Sequence, residues 1–325
     1  MGHADENKDV IIAEVARLYY IEGLSQAQIA KSLFLSKPTV SRALKLARER
    51  KIVEFTINYP LERSLVLEEA LKRRFGLEEA LVALDLEGYE NVEVSLKQIG
   101  AMAADWLNRS VVDGDRLGVS WGKTVDQVAR HLKPGTSRSV KVFQVVGSPN
   151  EDYSTSGRIS SIAQNVAEAF GGSCSLLYSP MYIENDAVRR DFMKEPIIRR
   201  SLERIRTVDY LLTGIADLCG ESSSCTWAGY LTEERRSGLL KKGAVGYICG
   251  YFIDANGAMI DDELNRRIIG IRFADLCHVP HVLAVAGGFD KTRAIHAALS
   301  GNLVDVLVTD SRIAEKLVAF DEKEA

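Results

Sequence analysis

Residues 24–50 read LSQAQIAKSLFLSKPTVSRALKLARER, and two helix starts are written into that stretch. Ser25, followed three residues later by Gln28, forms a capping box: the serine hydroxyl serves a free amide of the first turn while the glutamine reaches back to the serine amide. Ser36 marks a second start. Its hydroxyl is placed for the Thr39 amide, and Pro38 falls in the first turn, where a missing N–H breaks no helical hydrogen bond. Starts this close together leave a first helix of about two turns. Ile29, Ala30, Leu33, Leu35, Val40, Ala43, Leu44 and Ala47 then form one apolar seam across both helices, with the small Ala30 facing Val40 where the helices cross. Lys37, Thr39, Ser41, Arg42 and Lys45 are left outside.

A charged helix face is in most proteins only a solvated face. Here the charge is lopsided: from Lys37 to Lys51 six basic residues stand against Glu49 alone, while the whole chain carries a net charge of −4. A localised basic strip on an acidic chain is an electrostatic footprint for a polyanion. Two capped helices joined by a short turn are the arrangement that lays a second helix in the major groove of duplex DNA. The expected DNA-contacting set is Ser25, Gln26, Ser36, Lys37, Pro38, Thr39, Ser41, Arg42 and Lys45, with base edges met near the start of the second helix and phosphates met further along. Residues 10–20 have helical apolar spacing and predict a helix packed beneath the pair. Residues 52–59 (IVEFTINY) alternate like a strand or wing, closing a winged helix-turn-helix domain over 1–60.

At 325 residues the chain is about five times longer than such a reader requires, so further folded mass must follow over 61–325. With 46% apolar and 26% charged residues it has an ordinary globular composition. No run of about 18 apolar residues occurs and the acidic start MGHADENKDV is unlike a secretory signal, which predicts a cytoplasmic protein without a membrane segment. The five cysteines (Cys174, Cys219, Cys225, Cys249, Cys277) include no Cys-x-x-Cys pair, so buried free thiols are expected in place of disulfides or zinc. No cofactor is implied.

Residues 61–75 form a charged amphipathic helix. Beyond Glu78, short apolar runs alternate with amphipathic helices: strands are expected at 80–84, 116–120, 140–146, 175–178, 210–213, 281–285 and 306–309, and helices at about 91–110, 124–132, 159–170, 186–205, 232–241, 291–299 and 310–319. Apolar strands separated by helices argue for an α/β domain with a parallel sheet covered on both faces, whose ligands bind outside the carboxyl ends of the strands.

The loop GVSWGKT, ending at Thr124, puts glycine, lysine and hydroxyls at such a strand-to-helix turn. Free amides, the helix dipole and Lys123 favour a phosphate there. The full spacing G-x-x-x-x-G-K-[ST] is missing, because Leu117 stands where the first glycine belongs, so nucleotide hydrolysis is not expected. An equally open reading is a tight turn at Gly122 with Thr124 as helix cap. Gly147-Ser148 and residues 286–291 (AGGFDK) repeat the theme of small residues after a strand. Lys291 opens a helix, where its charge opposes the dipole unless an anion is near. Asp254 is open between a ligand-hydroxyl acceptor and an Asp-x-Asn-Gly hairpin turn.

Four stretches together, ARLYYIEGLSQAQIAKSLFLSKPTVSRAL, DGDRLGVSWGKTV, LLKKGAVGYICGYFIDANG and AVAGGFDKTRAIHAAL, make the chain resemble the SorC family of bacterial transcriptional regulators. The resemblance implies a Rossmann-like effector domain over 61–325, similar to sugar-phosphate isomerases and deaminases, and a homo-oligomer, usually a tetramer built as a dimer of dimers. It further implies that a phosphorylated sugar or polyol governs DNA binding. Carried onto this sequence, Ser120, Gly122, Lys123 and Thr124 hold the phosphate, Asp254 and Lys291 recognise hydroxyl or carbonyl groups, and Gly147 and Ser148 line the same pocket. Three residues depart from the family pattern. Phe34 replaces glycine or asparagine in the inter-helix turn, where a positive φ would be strained. Val146 stands where a basic side chain would serve a sugar phosphate, with Arg158 expected to supply part of that charge. Tyr247 replaces an acid. The alternatives from other classes are a sugar-phosphate isomerase or deaminase fused to a DNA reader, drawing on Asp254, Asp217 and His296, and an architectural DNA binder without a ligand.

Overall fold

In the computed structural model the described residues are 3–53, 62–84, 92–134, 138–149, 159–218, 231–287 and 291–320. The chain divides into two compact units, Met1–Pro60 and Leu61–Ala325.

The first unit holds α1 (His3–Tyr20), α2 (Gln26–Ser32) and α3 (Lys37–Glu49). Ser25 caps α2 reciprocally, with Gln28 N–H donating to its hydroxyl at 3.3 Å and its own amide donating to Gln28 Oε1 at 2.9 Å. Ser36 caps α3 by accepting from Thr39 N–H at 3.2 Å. Ile12, Val15, Ala16 and Leu18 of α1 close one core with Ile29, Ala30, Val40, Ala43, Leu44 and Ala47. Leu33 and Leu35 pack against it, so the whole expected seam faces inward. Of the expected strand at 52–59, Ile52 and Val53 pack on this core and the rest lies outside the described residues.

Phe34, between α2 and α3, has φ 53° and is 96% exposed. Holding a residue with a β-carbon in the left-handed region costs about 1–2 kcal/mol. Glycine costs about 0.5–1 kcal/mol in chain entropy, and an exposed ring returns nothing by burial. Phe34→Gly should therefore raise hydrogen-exchange protection of the α2 and α3 amides about two- to fivefold in the full chain. Reduced protection would contradict the strain argument.

Among the described residues the second unit is built on a sheet of nine strands: β1 (Glu79–Ala83), β2 (Arg116–Val119), β3 (Lys141–Gln144), β4 (Ser173–Ser175), β5 (Tyr210–Asp217), β6 (Gly246–Ile248), β7 (Tyr251–Ile253), β8 (His281–Val285) and β9 (Val306–Asp310). Seven run parallel in the order β1-β9-β8-β5-β2-β3-β4. Both faces are buried and side chains alternate between them. Leu211, Val282, Ala284 and Leu307 enter one core; Leu212, Leu283, Val285, Val306 and Val308 enter the other. The first core is completed by α4 (Leu65–Phe75) and, after the helices α10 (Glu233–Lys241), α11 (Glu263–Arg266) and α12 (Phe273–Leu276), by α13 (Thr292–Ser300) and α14 (Ser311–Ala319), through Leu71, Ile295 and Leu317. The second is completed by α5 (Val92–Ser110), α6 (Lys123–His131) and α7 (Ile159–Ala169), through Ile99, Val128 and Val166.

Several expectations are corrected. The helix at 186–205 is two, α8 (Asp186–Phe192) and α9 (Pro196–Ile205), because Pro196 pushes Glu195 to an extended conformation with ψ 128°. The strand expected at 175–178 pairs instead over Ser173–Ser175. β5 continues to Asp217, and its last three residues pair antiparallel with β6. The β6–β7 hairpin was not expected at all. Its two-residue turn, Cys249-Gly250, has φ 49° and 85°, both positive as a type I′ turn requires, with cysteine in a place where asparagine usually signals it. Of the cysteines expected to be buried, Cys249 is, whereas Cys174 and Cys277 are exposed; Cys219 and Cys225 lie outside the described residues. Among the described residues no helix is long and apolar enough to cross a membrane.

Candidate functional site

From β2 the chain order runs outward through β3 and β4, then returns to place β5 on the other side of β2 and continues to β8 and β9, which pairs with the first strand, β1, at that edge. At such a reversal the connections leaving the carboxyl ends of the two central strands part, and a crevice opens. A cavity of about 120 Å³ lies there. One wall is Ser120 to Val125, leaving β2 and entering α6; beside it run Thr213 to Ala216 of β5. Tyr247, Cys249, Gly250 and Phe252 of the hairpin contribute, as do Gly287 and Lys291 beyond β8.

Gly122 is the N-cap of α6 with φ 151° and ψ 163°, a conformation essentially reserved for glycine, and no side chain caps the helix. A β-carbon at Gly122 would meet nothing within 4 Å, so backbone conformation, not space, selects glycine there. Thr124 is buried in the first turn and is not the cap. Lys291 is the N-cap residue of α13, which likewise has no side-chain cap. Two uncapped helix starts, each with a lysine, therefore line one cavity, although helix dipoles at these ends disfavour cations. Burial pushes the Lys291 ammonium below the usual lysine range; Asp217 and Asp310 oppose that shift and Lys123 adds to it. Among the described residues neither lysine has a carboxylate within 4 Å. The arrangement can take up an anion, using two cations and the helix starts that no side chain caps.

Hydroxyl and thiol groups tie the wall together. Ser120 Oγ donates to Thr213 Oγ1 at 3.1 Å, and Thr213 Oγ1 lies 3.3 Å from Cys249 Sγ. Burial pushes the Cys249 thiol up to about 11, so it stays protonated at neutral pH. Trp121 Nε1–H donates to the Gly147 carbonyl at 2.8 Å, which fixes the indole at the cavity edge.

Of the expected effector residues, the structure brings Ser120, Gly122, Lys123, Thr124 and Lys291 together. Gly147 and Ser148 stand behind the wall. A β-carbon on Gly147 would sit 2.4 Å from the Pro180 carbonyl, so its smallness serves a backbone crossing. Ser148 exchanges backbone hydrogen bonds with Ser179 and Met181. Asp254 is corrected: it lies outside the cavity, and Oδ1 accepts from the amides of Asn256 and Ala258, both at 2.9 Å, closing the hairpin turn. Arg158 lies outside the described residues. Val146 and Tyr247 both line the cavity, as an apolar and a phenolic side chain. His296, considered as a catalytic partner, is stacked on Phe320 at 4.1 Å between ring centroids and does not reach the cavity. Met181, Tyr182, Leu264 and Ile268 also line it and carried no sequence signal.

In the first unit Lys37, Thr39, Ser41, Arg42 and Lys45 are exposed along α3, with Lys45 near Glu49 at 3.7 Å. Ser25, Ser36 and Pro38 are exposed at the helix starts, and Gln26 is half-buried.

The Sugar-bind family, a sugar-binding domain, matches residues 59–319. The chain is 35% identical over 315 residues to the deoxyribonucleoside regulator of Bacillus subtilis (strain 168), covering 97% of this chain and 99% of that protein. It is 30% identical to the sorbitol operon regulator of Klebsiella pneumoniae, covering 96% and 99%. The crystal structure of the full-length sorbitol operon regulator SorC from Klebsiella pneumoniae superposes with a TM-score of 0.72 at 29% identity, over 96% of this chain and 99% of that one. A DeoR family transcriptional regulator from Listeria monocytogenes gives a TM-score of 0.70 at 29% identity, over 78% and 98%. With its α/β architecture and parallel sheet shared with these proteins, the chain belongs to the SorC/DeoR-type sugar-binding-domain family, whose relatives are named as transcriptional regulators.

Proposed function

We propose that this chain is a DNA-binding transcriptional regulator of a carbohydrate-metabolism operon, controlled by a small phosphorylated sugar, polyol or related metabolite. The metabolite binds in the cavity between β2 and β5, and the Met1–Pro60 unit reads duplex operator DNA as a winged helix-turn-helix. The carrying observation is the pair of lysines, Lys123 and Lys291, at two uncapped helix starts in one cavity. A phosphate answers both lysine charges and two helix starts without side-chain caps at once. The names of the relatives, a deoxyribonucleoside regulator and a sorbitol operon regulator, support the metabolite class.

The working unit is a homo-oligomer, a dimer of dimers, so that paired readers meet two operator half-sites. Effector binding shifts the population between subunit arrangements with different reader spacing, which requires unequal affinity for the two arrangements. The Leu61–Ala325 unit acts as a Rossmann-like receptor related in form to sugar-phosphate isomerases and deaminases, without turnover of its own. Mobility-shift titration of the full chain on promoter fragments, with and without sugar phosphates, tests the coupling. Retardation that no phosphorylated compound alters would favour an architectural DNA binder.

Arg42, exposed on α3, is the residue best suited to a bidentate guanine contact. Arg42→Ala is expected to weaken operator binding about tenfold to a hundredfold, matching roughly 1–3 kcal/mol for one such contact, and to relax preference at one base pair. Uniform weakening over all sequences would make Arg42 a phosphate contact.

A further inference from the structure

None of the seven residues of α8 is buried, whereas α9, which follows it, buries Ile198 and Ile205. A helix of about two turns does not hold on propensity alone, so its place is set by what grips its ends. The far end is fixed: Met193, its C-cap, packs on the first core. The near end depends on Glu184, the residue before the Asn185 N-cap, and two arginines hold it. Arg267 Nη1 donates to the Glu184 carbonyl, and Arg235 of α10 donates from Nη2 to Glu184 Oε1 at 2.6 Å. Both arginines converge on one ring. Arg267 Nη1 also donates to Tyr182 Oη at 3.3 Å, and the Arg235 guanidinium carbon lies 6.0 Å from the Tyr182 ring centroid. Tyr182 is 7% exposed and lines the cavity, which neither arginine does.

We propose that Tyr182 is a positioning residue that couples occupancy of the cavity to the placement of α8. This rests on the reading that a metabolite binds there and adds how the event leaves the cavity. A ligand packed against the Tyr182 ring shifts its hydroxyl; Arg267 follows that hydroxyl and moves the Glu184 carbonyl with it. The start of α8 then takes a second position while Met193 keeps its end in place. Such a response needs a weakly held element, and a short helix with no buried residue is one. Arg235 adds to the effect, because its ion pair with Glu184 and its approach to the ring engage the same two groups. A ligand that leaves the ring where it is has no differential contact with the two positions and shifts nothing.

Calorimetric titration of the full chain with glucose 6-phosphate, sorbitol 6-phosphate and ribose 5-phosphate identifies the tightest of the three. Hydrogen exchange read by mass spectrometry then follows residues 186–192 of the full chain with that compound absent and saturating. The α8 amides are expected to change their exchange rate about threefold or more in the wild-type protein. Tyr182→Phe keeps the ring but loses the hydroxyl, so its α8 amides should exchange as in wild type without ligand and should lose the response to it. Arg267→Met should exchange faster in α8 without ligand and likewise give no response; if a variant does not fold, the other and the wild-type response decide. A merely structural role for Arg267 would raise the ligand-free rate and leave the response intact. An α8 that exchanges alike with and without bound ligand, or that responds in Tyr182→Phe as in wild type, overturns the coupling and leaves the phosphate reading standing. Absence of heat from all three compounds overturns both.

Discussion

Replacing Lys291 with Met is expected to stabilise the ligand-free protein and, at the same time, to weaken its hold on phosphate compounds. The ammonium group is held where burial disfavours its charge, with Lys123 adding to the effect. Removing it should raise the thermal midpoint by about 2–4 °C, the shift that about 1 kcal/mol produces in a domain of this size. The sign of the pH dependence follows from the downward shift. The native state binds the Lys291 proton less readily than the unfolded chain, so the cost is fully present only below the depressed native value. It fades as pH rises from the depressed native value toward the ordinary lysine value of about 10.4. The stability difference between Lys291→Met and wild type should therefore be largest below the depressed native value and vanish in strong alkali. Phosphate affinity should fall about tenfold to a hundredfold, matching roughly 1.5–3 kcal/mol for a hydrogen bond to a charged group. A lower midpoint with unchanged phosphate affinity would make Lys291 a structural residue.

Arg63→Ala is expected to destabilise the Leu61–Ala325 unit strongly. Arg63 donates from Nε and Nη2 to the two oxygens of Glu68 at 2.8 and 2.7 Å, and Glu68 Oε1 also accepts from Val82 N–H of β1 at 2.9 Å. Glu68 is 4% exposed, so losing the arginine leaves a buried carboxylate with a single amide. Breaking a buried pair costs about 3–5 kcal/mol. The Arg63 side chain is 35% exposed, so water partly replaces it, and about 2–3 kcal/mol is expected after that screening. Urea unfolding should show a lower midpoint at unchanged slope. Arg63→Lys should recover less than half, because a point charge cannot reproduce the two-pronged bond. A loss below about 0.5 kcal/mol would class the pair with ordinary surface ion pairs.

The readable parts of this fold are those where a local rule and the tertiary structure agree. Ser25 with Gln28, and Ser36 with Pro38, state helix starts that need no distant partner, and Val140 to Val146 or His281 to Val285 can only be buried strands. The loop Ser120–Thr124 was legible because strand, glycine, lysine and helix follow each other in sequence. Asp254 shows the opposite outcome: a local turn captured a carboxylate that also suited a ligand. Gly147 was legible as a close approach, but the partner is the Pro180 backbone. The cavity wall at Met181, Tyr182 and Ile268 was hidden for a different reason. Val146 meets Gly270, and Tyr182 meets Ile268, through isolated bridges between segments far apart in the chain, and no periodicity encodes such meetings. The β6–β7 hairpin escaped because its strands are three residues long and its turn is Cys-Gly.

β5 belongs to three pairings at once: Tyr210 to Leu212 is bonded in parallel to β2, Tyr210 to Gly214 in parallel to β8 on the other side, and Ile215 to Asp217 in antiparallel to β6. One extra or missing residue between Thr213 and Asp217 would reverse which face each hairpin side chain presents. Length is thus frozen along this segment, and a change of ligand preference in evolution or in the laboratory has to proceed by swapping side chains at fixed spacing. Library construction aimed at new ligands of this cavity should accordingly randomise identities at Val146, Tyr247 and Phe252 and leave loop lengths untouched.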